Sequence, residues 1–163
     1  MTMLRERIET NLPIDDAFAY VADFANAQEW DPGVATAQRL DDGPVGVGSR
    51  FRLGVRLGPR VAPMEYRISV FEPPTRVVLV GSGSGVSAID DIRFERLDSA
   101  TGLDYTADIR LGGVLRLVEP FLGGAFTNIG RNAADGMQRT LDAQATALRQ
   151  ARDHGMHAGR GAA

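Results

Sequence analysis

Asp90 and Tyr105 are the residues of this chain best suited to chemistry at a buried site. Ile92 and Phe94 face inward on a strand read over 89–97, and alternation turns Asp90 inward with them while Asp91 faces solvent. The adjacent aspartates therefore cannot work as a carboxylate pair. A second strand, over 103–111, places Leu103, Tyr105, Ala107, Ile109 and Leu111 on its apolar face and Asp104, Thr106, Asp108 and Arg110 on the other. Tyr105 thus carries a hydroxyl into the interior, where it needs a partner. An apolar cavity would raise the Asp90 pKa and make it a polar anchor or a general base. A register with Leu97 opposite Gly102 sets Asp90 opposite Ile109, about 13 Å along the sheet from Tyr105. That spacing predicts two separate contacts to one ligand, not a hydrogen-bonded pair. The structural alternative puts Asp90 near water at a strand end and Tyr105 in the core.

Most other catalytic machinery is excluded. The 163 residues include no cysteine and no lysine, which removes thiolate nucleophiles and metal sites, Schiff bases and the P-loop lysine. The two histidines, His154 and His157, fall at the C-terminal end, so no triad inside the domain can use one, and two ligands alone make a poor zinc site. No G-x-G-x-x-G is present, and the serines of Gly81-Ser-Gly-Ser-Gly85 are out of register for a nucleophile elbow. No metal and no cofactor are expected. A net charge of −3 argues against nucleic acid as a partner. The N-terminus is charged within five residues and lacks an apolar h-region. The longest uncharged run, 77–89, is shorter than the ~20 residues of a membrane helix. A soluble, cytoplasmic protein is expected.

The elements that must position these residues follow from periodicity. A first strand over 4–10 leads into a helix after Pro13, with Asp15 and Asp16 suiting its N-terminus. A second short helix over 24–30 should stop at Asp31-Pro32-Gly33, since the residue before proline avoids helical geometry. Strands follow over 34–41 and 50–57, the latter with Phe51, Leu53, Val55 and Leu57 facing one way and Arg50, Arg52 and Arg56 the other. Further strands run over 64–71, 77–80, 89–97 and 103–111, the last two as a hairpin around Asp98–Gly102. Apolar residues from Leu122 to Leu148 at steps of three and four mark one long helix. Gly123, Gly124, Gly130 and Gly136 weaken it, and their compensation is room for close packing or for a ligand. Strands grouped apart from helices predict an α+β domain over 1–151, followed by a disordered tail over 152–163.

The order and spacing of several short motifs carry a resemblance. They are Phe18-Ala-Tyr-Val-Ala-Asp-Phe24 running to Trp30-Asp-Pro, Gly43-Pro-Val-Gly-Val-Gly48, Val70-Phe-Glu-Pro-Pro74, Thr101-Gly102 and Leu115-Arg-Leu-Val-Glu-Pro120. Over residues 1 to about 150 the chain resembles the START-like superfamily, in its SRPBCC polyketide cyclase/dehydrase and lipid-transport group. The resemblance implies a helix-grip fold: a curved antiparallel sheet of about seven strands around the long C-terminal helix, with the short helix pair after strand 1. It also implies a hydrophobic cavity and a position for Trp30 near its mouth. Fold analogy does not choose between carriage and catalysis.

The candidate cavity residues are therefore Trp30, Phe51, Tyr66, Asp90, Phe94 and Tyr105, with Phe121, Phe126 and Met137 from the long helix. The expected function is binding or carriage of a hydrophobic small molecule such as a lipid, sterol or polyketide. The alternative is a cofactor-independent cyclase or aromatase in which Asp90 or Tyr105 moves protons. A homodimer is left open.

Overall fold

The alternation seen in the sequence builds one seven-stranded antiparallel sheet. The computed structural model describes residues 2–113, 116 and 123–158, with side chains of the last stretch over 127–154. Strand β1 (Thr2–Thr10) is followed by helix α1 (Ile14–Ala22), a 3-10 turn at Phe24–Asn26 and helix α2 (Ala27–Trp30). Strands β2 (Val34–Arg39), β3 (Arg50–Leu57), β4 (Arg60–Glu72), β5 (Arg76–Gly83), β6 (Val86–Arg96) and β7 (Thr101–Leu111) come next, and helix α3 (Gly123–Ala158) closes the chain. The sheet order is β1-β7-β6-β5-β4-β3-β2, so every neighbour except β7–β1 is also a neighbour in sequence. The sheet curves around α3 as a helix-grip fold.

β5 and β6 extend further than their apolar residues predict. Gly-rich 81–85 stays in the ladder as far as Gly83↔Val86, because strand pairing uses the backbone and needs no side chain there. The turn shrinks to Ser84 and Gly85, both at positive φ (52° and 76°), as a tight right-twisted hairpin requires. The other hairpin corrects the expected register. Leu97 N–H donates to Ala100 C=O (2.9 Å), so the turn closes two residues earlier than Leu97 opposite Gly102. Arg96 then faces Thr101, Phe94 faces Leu103, and Asp90 faces Ala107.

One face of the sheet packs inward. Phe18 of α1 meets Phe71 and Phe94 edge-on, each at 5.2 Å between ring centroids, and Phe24 touches Trp30, Phe51 and Tyr66. Each such ring contributes ~1.5–3 kcal/mol through burial alone. The outer face is charged, with Arg52 on Glu65, Arg76 on Asp91, and Arg7 on both Glu95 and Asp104. Exposed pairs of this kind stabilise by only ~0–1 kcal/mol, so they keep the face soluble more than they hold the fold.

α3 is held to the rest by core packing and by specific contacts. The Gln138 carboxamide takes the Glu9 N–H (3.2 Å) and donates to the Glu9 carbonyl, satisfying the free edge of β1 as a neighbouring strand would. Thr10 Oγ1 donates to Asp142 (3.0 Å) one turn further on. Gly136 lies directly against the Trp30 carbonyl at the end of α2, where a Cβ would collide with that oxygen. α3 also continues through Arg152 to Ala158, a stretch placed in the disordered tail by composition; residues 159–163 lie outside the described residues.

Candidate functional site

Between the sheet and α3 lies a cavity of about 120 Å³. Leu4, Ile8, Val55, Ala107 and Ile109 give it apolar walls from the strands, and Ala133, Ala134 and Met137 close it from α3. Gly130 lines it as well, supplying the room that its place in a helix implied. Five residues with polar atoms line it too: Glu6, Trp30, Asp31, Asp90 and Tyr105.

The strands dictate the central pair. Asp90 faces Ala107 and Ile92 faces Tyr105, so Asp90 and Tyr105 sit diagonally on the inward face. The Tyr105 hydroxyl donates to Asp90 Oδ1 at 2.6 Å. The separation of about 13 Å expected from the sequence is thus replaced by direct contact, as the two-residue change of register requires. Asp90 is 4% exposed, in mid-strand and away from bulk water. Asp91, on the opposite face, pairs with Arg76 through both oxygens (3.1 and 2.9 Å).

Burial pushes the Asp90 carboxyl up to about 7, against the lowering effect of the Tyr105 hydrogen bond and with some help from the negative charge of Asp31. The Tyr105 phenol is driven well above its ordinary range, first by burial and then by Asp90 itself. Desolvation also raises Asp31, although Gly33 N–H donates to its Oδ1 at 2.7 Å. Tyr105→Phe should therefore move the Asp90 titration upward, because it removes the one contact that favours the carboxylate. Carboxyl carbon shifts followed against pH read this directly; a downward move would contradict the pairing.

Two atoms in this wall stand out. Trp30 Nε1 and Asp90 Oδ2 are buried with no hydrogen-bond partner among the described residues. Trp30 is 2% exposed, and its ring meets that of Tyr105 edge-on at 6.2 Å. A buried polar group left unpaired costs ~1–3 kcal/mol, so two of them on residues lining one cavity is a costly arrangement for a purely structural core.

Of the residues selected from the sequence, Trp30, Asp90, Tyr105 and Met137 come together here. Phe51, Tyr66 and Phe94 do not line this cavity. Phe51 and Tyr66 pack on Phe24, Tyr66 also lies over Gly81, and Phe94 packs on Phe18. Phe121 and the Phe126 side chain lie outside the described residues. Asp31 and Glu6 are additions. Asp31 was legible only as a helix stop, whereas Glu6 alternates in phase with Leu4 and Ile8 and so already pointed inward. No cluster of histidine, aspartate and glutamate fit to hold a metal ion occurs among the described residues, and no helix among them is long and apolar enough to cross a membrane.

Comparison with known proteins agrees with this architecture. The family model described as polyketide cyclase / dehydrase and lipid transport matches residues 1–146. No curated protein matches the chain. A START superfamily protein from Mycobacterium smegmatis superposes with a TM-score of 0.69 at 13% identity, over 91% of this chain and 99% of that one. The Zhui aromatase/cyclase from Streptomyces sp. R1128 gives 0.69 at 14% identity, over 88% and 93%. TTHA0849 from Thermus thermophilus gives 0.71 at 11% identity, over 87% and 98%. At these identities the likeness is one of fold.

Proposed function

The chain belongs to the polyketide cyclase / dehydrase and lipid transport family, and on that premise we propose that it binds a small, largely apolar molecule in the cavity under α3. The observation that carries this reading is the pair of unpartnered buried atoms, Trp30 Nε1 and Asp90 Oδ2, on residues that line a cavity with largely aliphatic walls. Such a combination is what fixes a ligand's orientation while apolar contact supplies the affinity, at ~25 cal/mol per Å² before ordering costs. The volume of about 120 Å³ is small for a ligand site. Drug-sized ligands take ~300–1,000 Å³. A lipid, sterol or polyketide chain therefore places only one end here, and the remainder requires α3 to lift or the ligand to pass out beside it.

A second reading, a cofactor-independent cyclase or aromatase, draws support from a different observation. A carboxyl near pKa 7 that touches a tyrosine hydroxyl can accept and return a proton at neutral pH. The cavity would contribute by holding a flexible chain in a reactive conformer.

Native mass spectrometry of the purified protein, with extraction of any bound molecule, tests the first reading. Ala107→Phe places a ring into the cavity from β7 and should reduce occupancy by roughly 5- to 100-fold, if the ~1–3 kcal/mol typical of overpacking opposes the ligand. Ala134→Phe does the same from α3, so a folding defect in one variant leaves the other as the test. Full occupancy in both would move the ligand elsewhere. Incubating the extracted molecule with fresh protein separates the two readings: an unchanged mass favours carriage, a changed one favours catalysis.

A further inference from the structure

We propose that the cavity selects its ligand by a neutral hydroxyl group, held between Trp30 Nε1 and Asp90 Oδ2, and turns carboxylates away; this rests on the binding reading above. The indole N–H can only donate. Asp90 Oδ1 is already occupied by the Tyr105 hydroxyl (2.6 Å), which leaves Oδ2 as the free carboxyl oxygen in the wall. The three side chains are contiguous, since the Trp30 and Tyr105 rings meet at 6.2 Å and Tyr105 reaches Asp90. One ligand group must then accept from the indole and donate to the carboxylate. A hydroxyl does both. A ketone has no proton for Oδ2, an ammonium has no lone pair for the indole, and a hydrocarbon offers neither.

Charge excludes the remaining common head group. Glu6 from β1, Asp31 after α2 and Asp90 from β6 all line the cavity, and no basic side chain lines it among the described residues. A ligand carboxylate would satisfy Trp30 but would meet three acidic side chains without a counter-ion. Like charges brought together in a desolvated site repel strongly.

The selectivity carries its own pH signature. The titratable groups facing Asp90 are Glu6, Asp31 and Tyr105, with Tyr66 of β4 near enough to be influenced by it; the α3 residues lining the cavity, from Ile129 to Met137, contribute none. With Asp90 ionised, only the hydroxyl fits. With Asp90 protonated, Oδ2 becomes a donor, and a ketone oxygen can accept from both Oδ2 and the indole. Preference for hydroxyl over ketone is therefore sharp above the Asp90 titration and fades below it.

The chain has one tryptophan, so ¹⁵N-labelled protein gives a single indole N–H resonance that reports on this site alone. The probes are cyclohexanol, cyclohexanone, methylcyclohexane and cyclohexanecarboxylate, which share a ring of a size suited to the cavity. At about pH 8, cyclohexanol should bind ~10-fold or more tightly than cyclohexanone and methylcyclohexane and shift the indole resonance downfield. Cyclohexanecarboxylate should not bind. At about pH 5 the alcohol–ketone ratio should fall to roughly threefold or less, as expected below the titration of the buried carboxyl. Equal binding of the neutral probes, preference for the carboxylate, or binding of the alcohol without movement of the indole resonance would overturn the hydroxyl assignment and leave the cavity reading intact. Failure of all four probes to bind would remove both.

Discussion

Asp90→Asn is expected to raise the thermal midpoint at about pH 8 by several degrees more than it does at about pH 4. Burial lifts the Asp90 carboxyl to about 7 in the folded protein, whereas in the unfolded chain it titrates near ~3.9. A carboxyl whose folded pKa is raised binds its proton more tightly in the native state. Stability from this group is therefore fully present below about pH 4, is lost as the pH rises toward 7, and changes no further above that. Three units correspond to about 4 kcal/mol, the order of magnitude that ionising Asp90 removes from the folded state. Asparagine keeps the shape and the oxygen that accepts from Tyr105 but cannot ionise. Its amide, placed where Oδ2 stands, costs ~1–3 kcal/mol if unpaired, and that cost is the same at both pH values. Subtracting wild type from variant at each pH cancels every other titrating group that Asp90 does not touch. With ~2–4 °C per kcal/mol for a chain of this size, the two shifts should differ by roughly 10 °C. Thermal melts followed by circular dichroism across this range decide it. An identical shift at both ends would mean that Asp90 titrates normally, and the case for a desolvated carboxyl in the cavity would fall with it.

A stabilising substitution at a buried, conformationally well-held residue has a physical meaning. Cores that serve packing alone do not retain an ionisable group with a free oxygen, because a neutral isostere would be more stable. Sites that bind or react do retain such groups and give up stability for them. A measured gain in Asp90→Asn would thus be evidence about function, independent of any ligand.

Asp90 and Tyr105 also mark where sequence reasoning ran out. Alternation placed both on the inner face, and the structure keeps them there. Their distance depended on the register of the β6–β7 hairpin, which is two residues away from the one expected. A slip of two leaves every side chain on its original face, since the side-chain period along a strand is two. Hydrophobic patterning is blind to it, and only the turn closure at Leu97 and Ala100 decides it. The same logic covers Tyr66 and Phe51. Inward orientation was readable, but whether an inward ring meets a cavity or another ring depends on curvature, and both meet Phe24. Asp31 was hidden for a different reason: in Asp-Pro-Gly the backbone signal of a helix stop is so strong that the side chain attracts no separate notice. The fold itself was legible because α1, α2 and the seven strands each carry their own local period, and the long helix carries eight apolar positions in phase from Leu122 to Leu148.

Gly136→Ala is expected to destabilise the protein, and Gly130→Ala to leave it unchanged or stabilise it, although both replace glycine by the best helix former in the same helix. In isolation each change should favour the helix by up to ~1 kcal/mol. At Gly136 the new methyl would collide with the Trp30 carbonyl oxygen and lie 3.0 Å from the carbonyl carbon, with Pro32 Cδ at 3.6 Å. These are backbone atoms and a proline ring at the end of α2, and they cannot rotate away. Either α3 or the Trp30–Gly33 turn must move. Overpacking against such a wall costs ~1–3 kcal/mol and occasionally more. A net loss of about 2 kcal/mol, or roughly 4–8 °C in thermal midpoint, is expected. At Gly130 the tightest neighbour is Leu4 Cδ1 at 3.2 Å, the far end of a side chain that can give way, while Glu6 Oε1 and Leu4 Cβ at 3.5 Å are in ordinary contact. The pair of variants separates close packing from helix propensity, because propensity alone predicts a gain in both. The displacement has a functional consequence too. Ala133, Ala134 and Met137 flank Gly136 and close the cavity, while Trp30, whose carbonyl is struck, lines the same space and carries an unpartnered indole N–H. A methyl group at 136 should therefore loosen the cavity from both sides at once, and the single indole resonance should report it as a shifted, broadened peak even before any ligand is added. An unshifted indole resonance in a destabilised Gly136→Ala would show that α3 yields elsewhere and that its contact with α2 does not set the site.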